Sequence, residues 1–350
     1  GARAAALGGY TAVIAMPNTV PAIDSAGVVR EVLELAAGSS CEVRPAGAIT
    51  LGRQGERLAP MAELAGLGVR LFTDDGTGVQ DPLLMRRALE YASALSVTVA
   101  QHCEDVALAA GGQMHEGEWS SRLGIPGQPS EAEEVMVARD LALARLTGAR
   151  LHLLHLSTTG SVALVREAKA KGSTVTAEAT PHHFTLTAEA VRGYDPVFKV
   201  NPPLRTPADV AAIKAGLADG TIDAIATDHA PHLQETKEAA FDQAPPGMLG
   251  LETALPLTLT ELRFPLRDAL ALLSWKPARI AGLADHGKPI LPGRPANLCV
   301  LDPKAVWQVD PDRLASRSRN TPYAGRRVVG RARHTLLRGE PVVVDGEAQR

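Results

Sequence analysis

Four apolar runs in this chain end in ionisable residues, and that recurrence limits the fold more than any other feature. Val69 to Thr73 runs into Asp74-Asp75 and Val97 to Gln101 into His102. Leu151 to Leu156 carries His155 near its end, and Ala224 to Thr227 delivers Asp228. Continuous apolar runs of this length suit strands buried on both faces, as in a parallel sheet. The C-terminal ends of such strands are where an α/β barrel keeps its chemistry. A strand followed by a polar turn accounts for any one of the four equally well, but the repetition favours a shared site.

The intervening segments read as helices. Ser25 opens an amphipathic helix through Val28, Val29, Val32, Leu33 and Ala36 that closes at Gly38. Asp81-Pro82 supplies a cap and an N1 proline, and Ser130 to Glu133 has the spacing of a capping box before a helix running to Gly148. Ser161 to Lys171 and the segment opened by Thr206-Pro207 are further helices. With Thr11 to Pro17, Glu42 to Ile49 and Ser173 to Ala179, the pattern gives seven strands alternating with helices, hence βα units. Seven is one short of an eight-stranded barrel. The deficit falls at the start, where Gly1 already stands in a helix-like run, as in a chain cut upstream. After about Leu283 the texture changes to short antiparallel-type strands around glycine turns. The expected division is residues 1–285 as barrel and 286–350 as a small β appendage.

With 350 residues, 45% of them hydrophobic, the chain can bury a large core. A formal net charge of -3, no basic block and 3% aromatics speak against nucleic acid as a partner. Cys41, Cys103 and Cys299 form neither a zinc knuckle nor a disulfide framework, which makes a reducing cytoplasm the default location. No apolar run is long enough to span a membrane.

Asp74 or Asp75, His102, His155 and Asp228 would bring two imidazoles and two carboxylates to one barrel mouth. That is a ligand set for a divalent ion, zinc first, with manganese or cobalt as alternatives. A carboxylate bridging two ions would permit a two-metal site. Asp75 alternates with Thr73 but Asp74 with bulky Phe72, so side-chain parity favours Asp75. Taken singly, His102 or His155 would more often be a hydrogen-bonded core histidine. His182 and His183 also end a strand and suit support or packing equally. His229 should point away from the mouth, while His232 suits a substrate donor. His152 should be packed and His115, His286 and His334 solvated. Asp24, Asp81 and Asp209 read as helix-start residues.

Eight motifs then follow in order: Ala15-Met-Pro-Asn-Thr19, Phe72-Thr-Asp-Asp-Gly76, Gln101-His-Cys-Glu104, His155-Leu-Ser157, Thr180-Pro-His-His183, Val200 to Arg205, Thr227 to His232 and Gly250-Leu-Glu-Thr253. Through them the chain resembles bacterial dihydroorotases of the amidohydrolase superfamily over almost its whole length. The resemblance implies a (β/α)8 TIM-like metallo-dependent hydrolase barrel, lacking its first strand here, with a small C-terminal β-sandwich. It implies one or two Zn2+ per subunit and reversible closure of N-carbamoyl-L-aspartate to (S)-dihydroorotate in pyrimidine synthesis. By the same likeness Asp75 resembles the metal-bridging carboxylate, His102 and His155 ligands of the second ion, and Asp228 a ligand of the first and the proton carrier. Asn18, Asn201 and His232 resemble substrate-binding positions, and Pro246-Gly247 the segment that closes over the ring. A homodimer and an association with aspartate transcarbamoylase are compatible with it.

The chain departs from that family at one place. The His-x-His-x-Arg strand, source of two ligands of the first ion and of an arginine for the substrate carboxylate, has no counterpart after Gly1. The 350-residue chain is therefore expected to bind the first ion poorly and to turn over little, and its open barrel edge to favour aggregation. Dihydropyrimidinases and allantoinases are the nearest alternatives, but they bridge their metals with a carboxylated lysine, and Arg70 to Gly76 contains none. A non-catalytic, transcarbamoylase-scaffolding relative would tend to lose metal ligands, whereas this chain keeps those within its span.

Overall fold

A computed structural model describes residues 1–350. Seven parallel strands follow in chain order: β1 (Ala12–Ala15), β2 (Glu42–Pro45), β3 (Leu71–Phe72), β4 (Thr98–Gln101), β5 (Arg150–Leu153), β6 (Thr176–Ala179) and β7 (Ala224–Ile225). β1 pairs with β2, and β3 to β7 form one sheet in that order. Gly47 bridges to Phe72 and joins the two sets. Helices Ala26–Ala36, Pro82–Leu95, Glu131–Thr147, Thr159–Ala170 and Pro207–Asp219 cross between strands, as the βα pattern requires. No helix is long and apolar enough to cross a membrane.

The two-residue period of a strand sorts side chains into two layers. Val97, Val99, Leu151, Leu153, Ala177 and Ile225 face the helices and join a 35-residue core with Phe72, Met85, Leu89 and Val162. Ala46, Leu71, Ala100 and Leu154 pack together inside the barrel. His152 shares that inner layer, its ring held by Thr176 Oγ1 at 2.8 Å and Glu178 Oε2 at 3.0 Å, so it is packed, as expected.

Strands end sooner than the apolar runs. β2 stops at Pro45, and farther along the same apolar run the Ile49 and Thr50 amides donate to Asp74 Oδ1, at 2.8 and 3.1 Å. Asp81 caps Pro82–Leu95 by accepting from Leu84 N, and Thr206 with Asp209 forms a true capping box. The box expected at Ser130–Glu133 does not form: Ser130 makes no side-chain cap, and Glu133 turns into the core. Asp24 is also no cap, since it accepts from Gly52 N at 2.7 Å and ties the β1 and β2 loops together.

β8 (Leu298–Gln308), β9 (Arg327–Leu337), β10 (Glu340–Val344) and β11 (Glu347–Ala348) make a four-stranded antiparallel sheet in that order. Helix Ala2–Leu7 packs on it, with Ala6 against Leu337, Val342 and Val343, and Thr335 Oγ1 donates to Ala6 O at 2.8 Å. His286, expected in solvent, is buried where this sheet meets the barrel. Its ring sits 2.9 Å from Thr11 Oγ1 and 3.3 Å from Glu42 Oε2, and Arg44 and Arg338 pair with the same carboxylate. His115 is likewise half-buried rather than solvated, against Arg205 Nη1 at 3.2 Å.

Candidate metal centre

Three of the four strand-end residues converge. His102 Nδ1 lies 3.0 Å from His155 Nε2, His155 Nε2 3.4 Å from Asp75 Oδ1, and His102 Nδ1 3.6 Å from the same oxygen. A tetrahedral ion with bonds of roughly 2.0–2.2 Å separates its donors by about 3.4 Å, so these three atoms already stand at the corners such an ion needs. Both histidines are buried and Asp75 nearly so.

Each residue reaches the mouth by a different local route. His102 follows the inward parity of Thr98 and Ala100. His155 has the parity of Leu151 and Leu153, which face the helices, but its backbone takes the left-handed conformation, φ 32, and the ring swings inward. Asp75 lies beyond β3, which ends at Phe72. The choice between Asp74 and Asp75 is therefore made by the turn: Asp74 is consumed by Ile49, Thr50 and the Thr50 hydroxyl, leaving Asp75 free to face the histidines.

The electrostatics suit a cation. Burial pushes the Asp75 carboxyl up, but His102 and His155 outweigh it and hold the group well below the usual carboxylate range. Burial disfavours charge on His102, yet Asp75 and Glu104 raise it strongly. Two imidazolium rings cannot point N–H bonds at each other across 3.0 Å, so one of the facing nitrogens keeps a lone pair. A divalent ion would replace the shared proton and satisfy all three donors, so these residues fit a metal.

Asp228 is adjacent but outside this triangle. Burial raises its carboxyl to about 6, with His155 opposing and Asp75 reinforcing the shift. Its backbone is also left-handed, φ 43, and His182 Nε2, buried with no hydrogen-bond partner, lies 3.7 Å from Asp228 Oδ2. Asn201 joins the site: its Nδ2 donates to Glu104 Oε2 at 2.8 Å and sits 3.5 Å from His102 Nε2, while its Oδ1 is buried without a partner. His232 Nε2 meets Pro246 O at 2.9 Å, and Gly247 N donates to Lys199 O at 2.8 Å, two residues before Asn201. Asn18 is exposed on the β1 loop and is not drawn into the cluster. His229 turns away, its Nδ1 accepting from the Gly250 and Leu251 amides. His183 is a packing residue held between Thr180 Oγ1 and Pro202 O.

Sequence reasoning passed over two acids. Glu104 Oε2 stands 3.7 Å from His102 Nε2, on the far side of the ring from Asp75, where a carboxylate fixes the tautomer of a metal-binding histidine. Its position two residues after His102 was the available signal. Glu133 Oε1 accepts from Ser157 N at 3.0 Å and Thr158 N at 3.2 Å, Oε2 bonds the Ser157 hydroxyl, and Arg205 Nε donates to Ser157 Oγ at 3.0 Å. That network braces the turn after His155, and the helix-start pattern concealed it.

Residues 1–161 match the family described as dihydro-orotase-like. The dihydroorotase of Streptomyces coelicolor is 51% identical over 99% of this chain and 83% of its own length. That of Mycobacterium leprae is 49% identical over 97% of this chain and 81% of its own. Among solved structures, an L-hydantoinase (dihydropyrimidinase) from Arthrobacter aurescens matches with a TM-score of 0.88 at 25% identity, covering 100% of this chain and 80% of that one. Dihydropyrimidinase from Brevibacillus agri, at 21% identity and a TM-score of 0.85, shares the fold, covering 99% of this chain and 80% of its own. An amidohydrolase barrel with acid and imidazole donors at its strand ends, about half-identical in sequence to the two dihydroorotases along nearly its full length, belongs to the dihydroorotase family and is a cyclic amide hydrolase.

Proposed function

We propose that this site interconverts N-carbamoyl-L-aspartate and dihydroorotate, with Asp75, His102 and His155 holding a zinc ion and Asp228 carrying the proton. The donor triangle of 3.0, 3.4 and 3.6 Å is the observation that carries this reading. A bound divalent ion would supply Lewis-acid polarisation of the ring amide and a water acidified toward neutrality.

The chain's own groups do the rest. Asp75 Oδ1 faces both histidines, 3.4 Å from His155 Nε2 and 3.6 Å from His102 Nδ1, so one carboxylate oxygen and two ring nitrogens are aimed at one point. Glu104 holds the outer nitrogen of His102, so that Nδ1 presents its lone pair inward. The Asp228 carboxyl, lifted to about 6, is ionised at neutral pH yet basic enough to take a proton from an attacking water and pass it to the departing ring nitrogen. Closure reverses the transfer and needs the protonated acid, so falling pH favours it. Asn201, with an unpaired carbonyl oxygen, and the backbone around Pro246-Gly247 with His232 form the substrate's polar edge.

The test is Asp228→Asn, measured by zinc content and by dihydroorotate ring opening with zinc supplied. Loss of a positioned acid–base group costs roughly 10²–10⁴-fold in rate. The expected result is that loss with the Asp75 ion retained. A variant as active as the parent removes Asp228 from the chemistry.

A further inference from the structure

Two lysines near the mouth are used in an unusual way. Lys199 is buried at 6% exposure, and its Nζ donates to Phe241 O at 2.8 Å and Asp242 O at 3.2 Å. Lys237 Nζ donates to Pro196 O at 2.7 Å, Pro245 O at 2.9 Å and Lys199 O at 3.4 Å. Neither ammonium pairs with a carboxylate. All five acceptors are backbone carbonyls, drawn from two segments: 196–199, which leads into Asn201, and 241–245, which leads into Pro246-Gly247.

Each lysine therefore crosses from one segment to the other. Lys199 reaches out of the first into the second, and Lys237, on the short helix Gln234–Lys237, is bonded to both. The Gly247 amide closes the same junction on Lys199 O, and Asn320 Nδ2 secures the far side by donating to Gly247 O at 3.2 Å and Ala230 O at 2.9 Å. Position 247 admits no side chain: at φ 133 it lies in backbone space that favours glycine, and a Cβ there would meet Ala230 Cβ at 2.6 Å and His232 Nε2 at 2.8 Å. Apolar packing of Phe241 with Met114 and Val191 covers the outside of the junction. An ammonium has three donors on one atom and can gather carbonyls converging from different directions, which a planar guanidinium cannot.

We propose that Lys199 and Lys237 form a two-ammonium latch that fixes the Pro246-Gly247 turn against the Asn201 segment, making them positioning residues for the substrate. The proposal rests on the reading of Asn201 and Gly247 as substrate-contacting positions. Releasing the latch loosens the polar edge of the pocket while leaving the metal donors, which lie on β3, β4 and β5 turns, in place.

The test compares Lys237→Met and the surface control Lys171→Met with the parent. Amide exchange is followed across residues 234–247, dihydroorotate affinity by equilibrium dialysis with zinc present, and zinc content in parallel. Lys237→Met is expected to speed exchange in that segment at least tenfold and weaken dihydroorotate about tenfold, with zinc content unchanged; Lys171→Met should match the parent. In the unmutated protein, acetylation by an N-hydroxysuccinimide ester should reach Lys237 and Lys199 far more slowly than Lys171, a measurement that stands if the variant fails to fold. Exchange unaffected by Lys237→Met, or Lys237 acetylated as fast as Lys171, overturns the latch. If the parent binds no dihydroorotate, the reading of the pocket fails, while exchange and acetylation still decide the latch.

Discussion

Glu133→Ala removes the carboxylate beneath the turn that follows His155. In the native chain that carboxylate accepts from two buried amides, Ser157 N and Thr158 N, and from the Ser157 hydroxyl. It is also the leading negative charge offsetting the burial of the Arg205 guanidinium. Alanine leaves both amides without an acceptor and Arg205 short of countercharge. Breaking one side of a buried ionic network costs about 3–5 kcal/mol. An unfolding entropy near 2.1 cal/mol/K per residue turns 4 kcal/mol into a fall of about 5 °C for a chain of this length unfolding as one unit. Glu133→Gln keeps the shape and the Oε1 acceptor, so it should recover about half of that loss. Thermal and urea unfolding followed by tryptophan fluorescence reads the stability. Because His155 is two residues from Ser157, zinc affinity should fall in the alanine variant as well. A Glu133→Ala protein melting within about 1 °C of the parent, with zinc affinity intact, refutes the anchoring role.

Glu104→Gln should weaken zinc binding about tenfold or more without a comparable loss of stability, since a carboxylate behind a ligating histidine typically contributes 10–100-fold in affinity; chelator competition reads this, and unchanged affinity would remove Glu104 from the site. The Glu42 cluster should shape the acid limb of stability. The His286 ring, with Arg44, holds the Glu42 carboxyl at about 2 against an ordinary value of 4.5, so its contribution is complete above 4.5 and drains away as pH falls through about 2. Glu42→Gln should flatten that limb of the melting profile, and an unchanged acid limb would show the cluster to be inert.

Parity and motif order carried much of this molecule. The inward run Thr98, Ala100, His102 is plain in the sequence, as are the seven strands and the antiparallel C-terminal sheet. His155 is different, because its parity alone points to the helices and only a left-handed backbone redirects it. Whether a histidine adopts that conformation is decided by the turn around it, here braced by Glu133 from a separate helix, and such tertiary bracing leaves no local trace. Glu133 and Asp74 show the same limit. Both are acids in places where a cap or a ligand is the simplest local reading, and both instead satisfy amides of a neighbouring loop. His286 was misplaced because its partners, Thr11 and Glu42, lie more than 240 residues away in sequence.

The left-handed backbone at His155 and Asp228 has a consequence for laboratory evolution. Side chains other than glycine hold that conformation at a cost of about 1–3 kcal/mol each, and glycine at almost none. A library screened only for heat resistance would be drawn toward glycine at these two codons, and toward asparagine at 228. Such variants would shed that backbone strain while losing a metal donor or the proton carrier, and at 155 also a buried partner of the Asp75 carboxylate. Stability and turnover pull in opposite directions at these two positions, so a screen of this protein needs activity as a second criterion to keep its site.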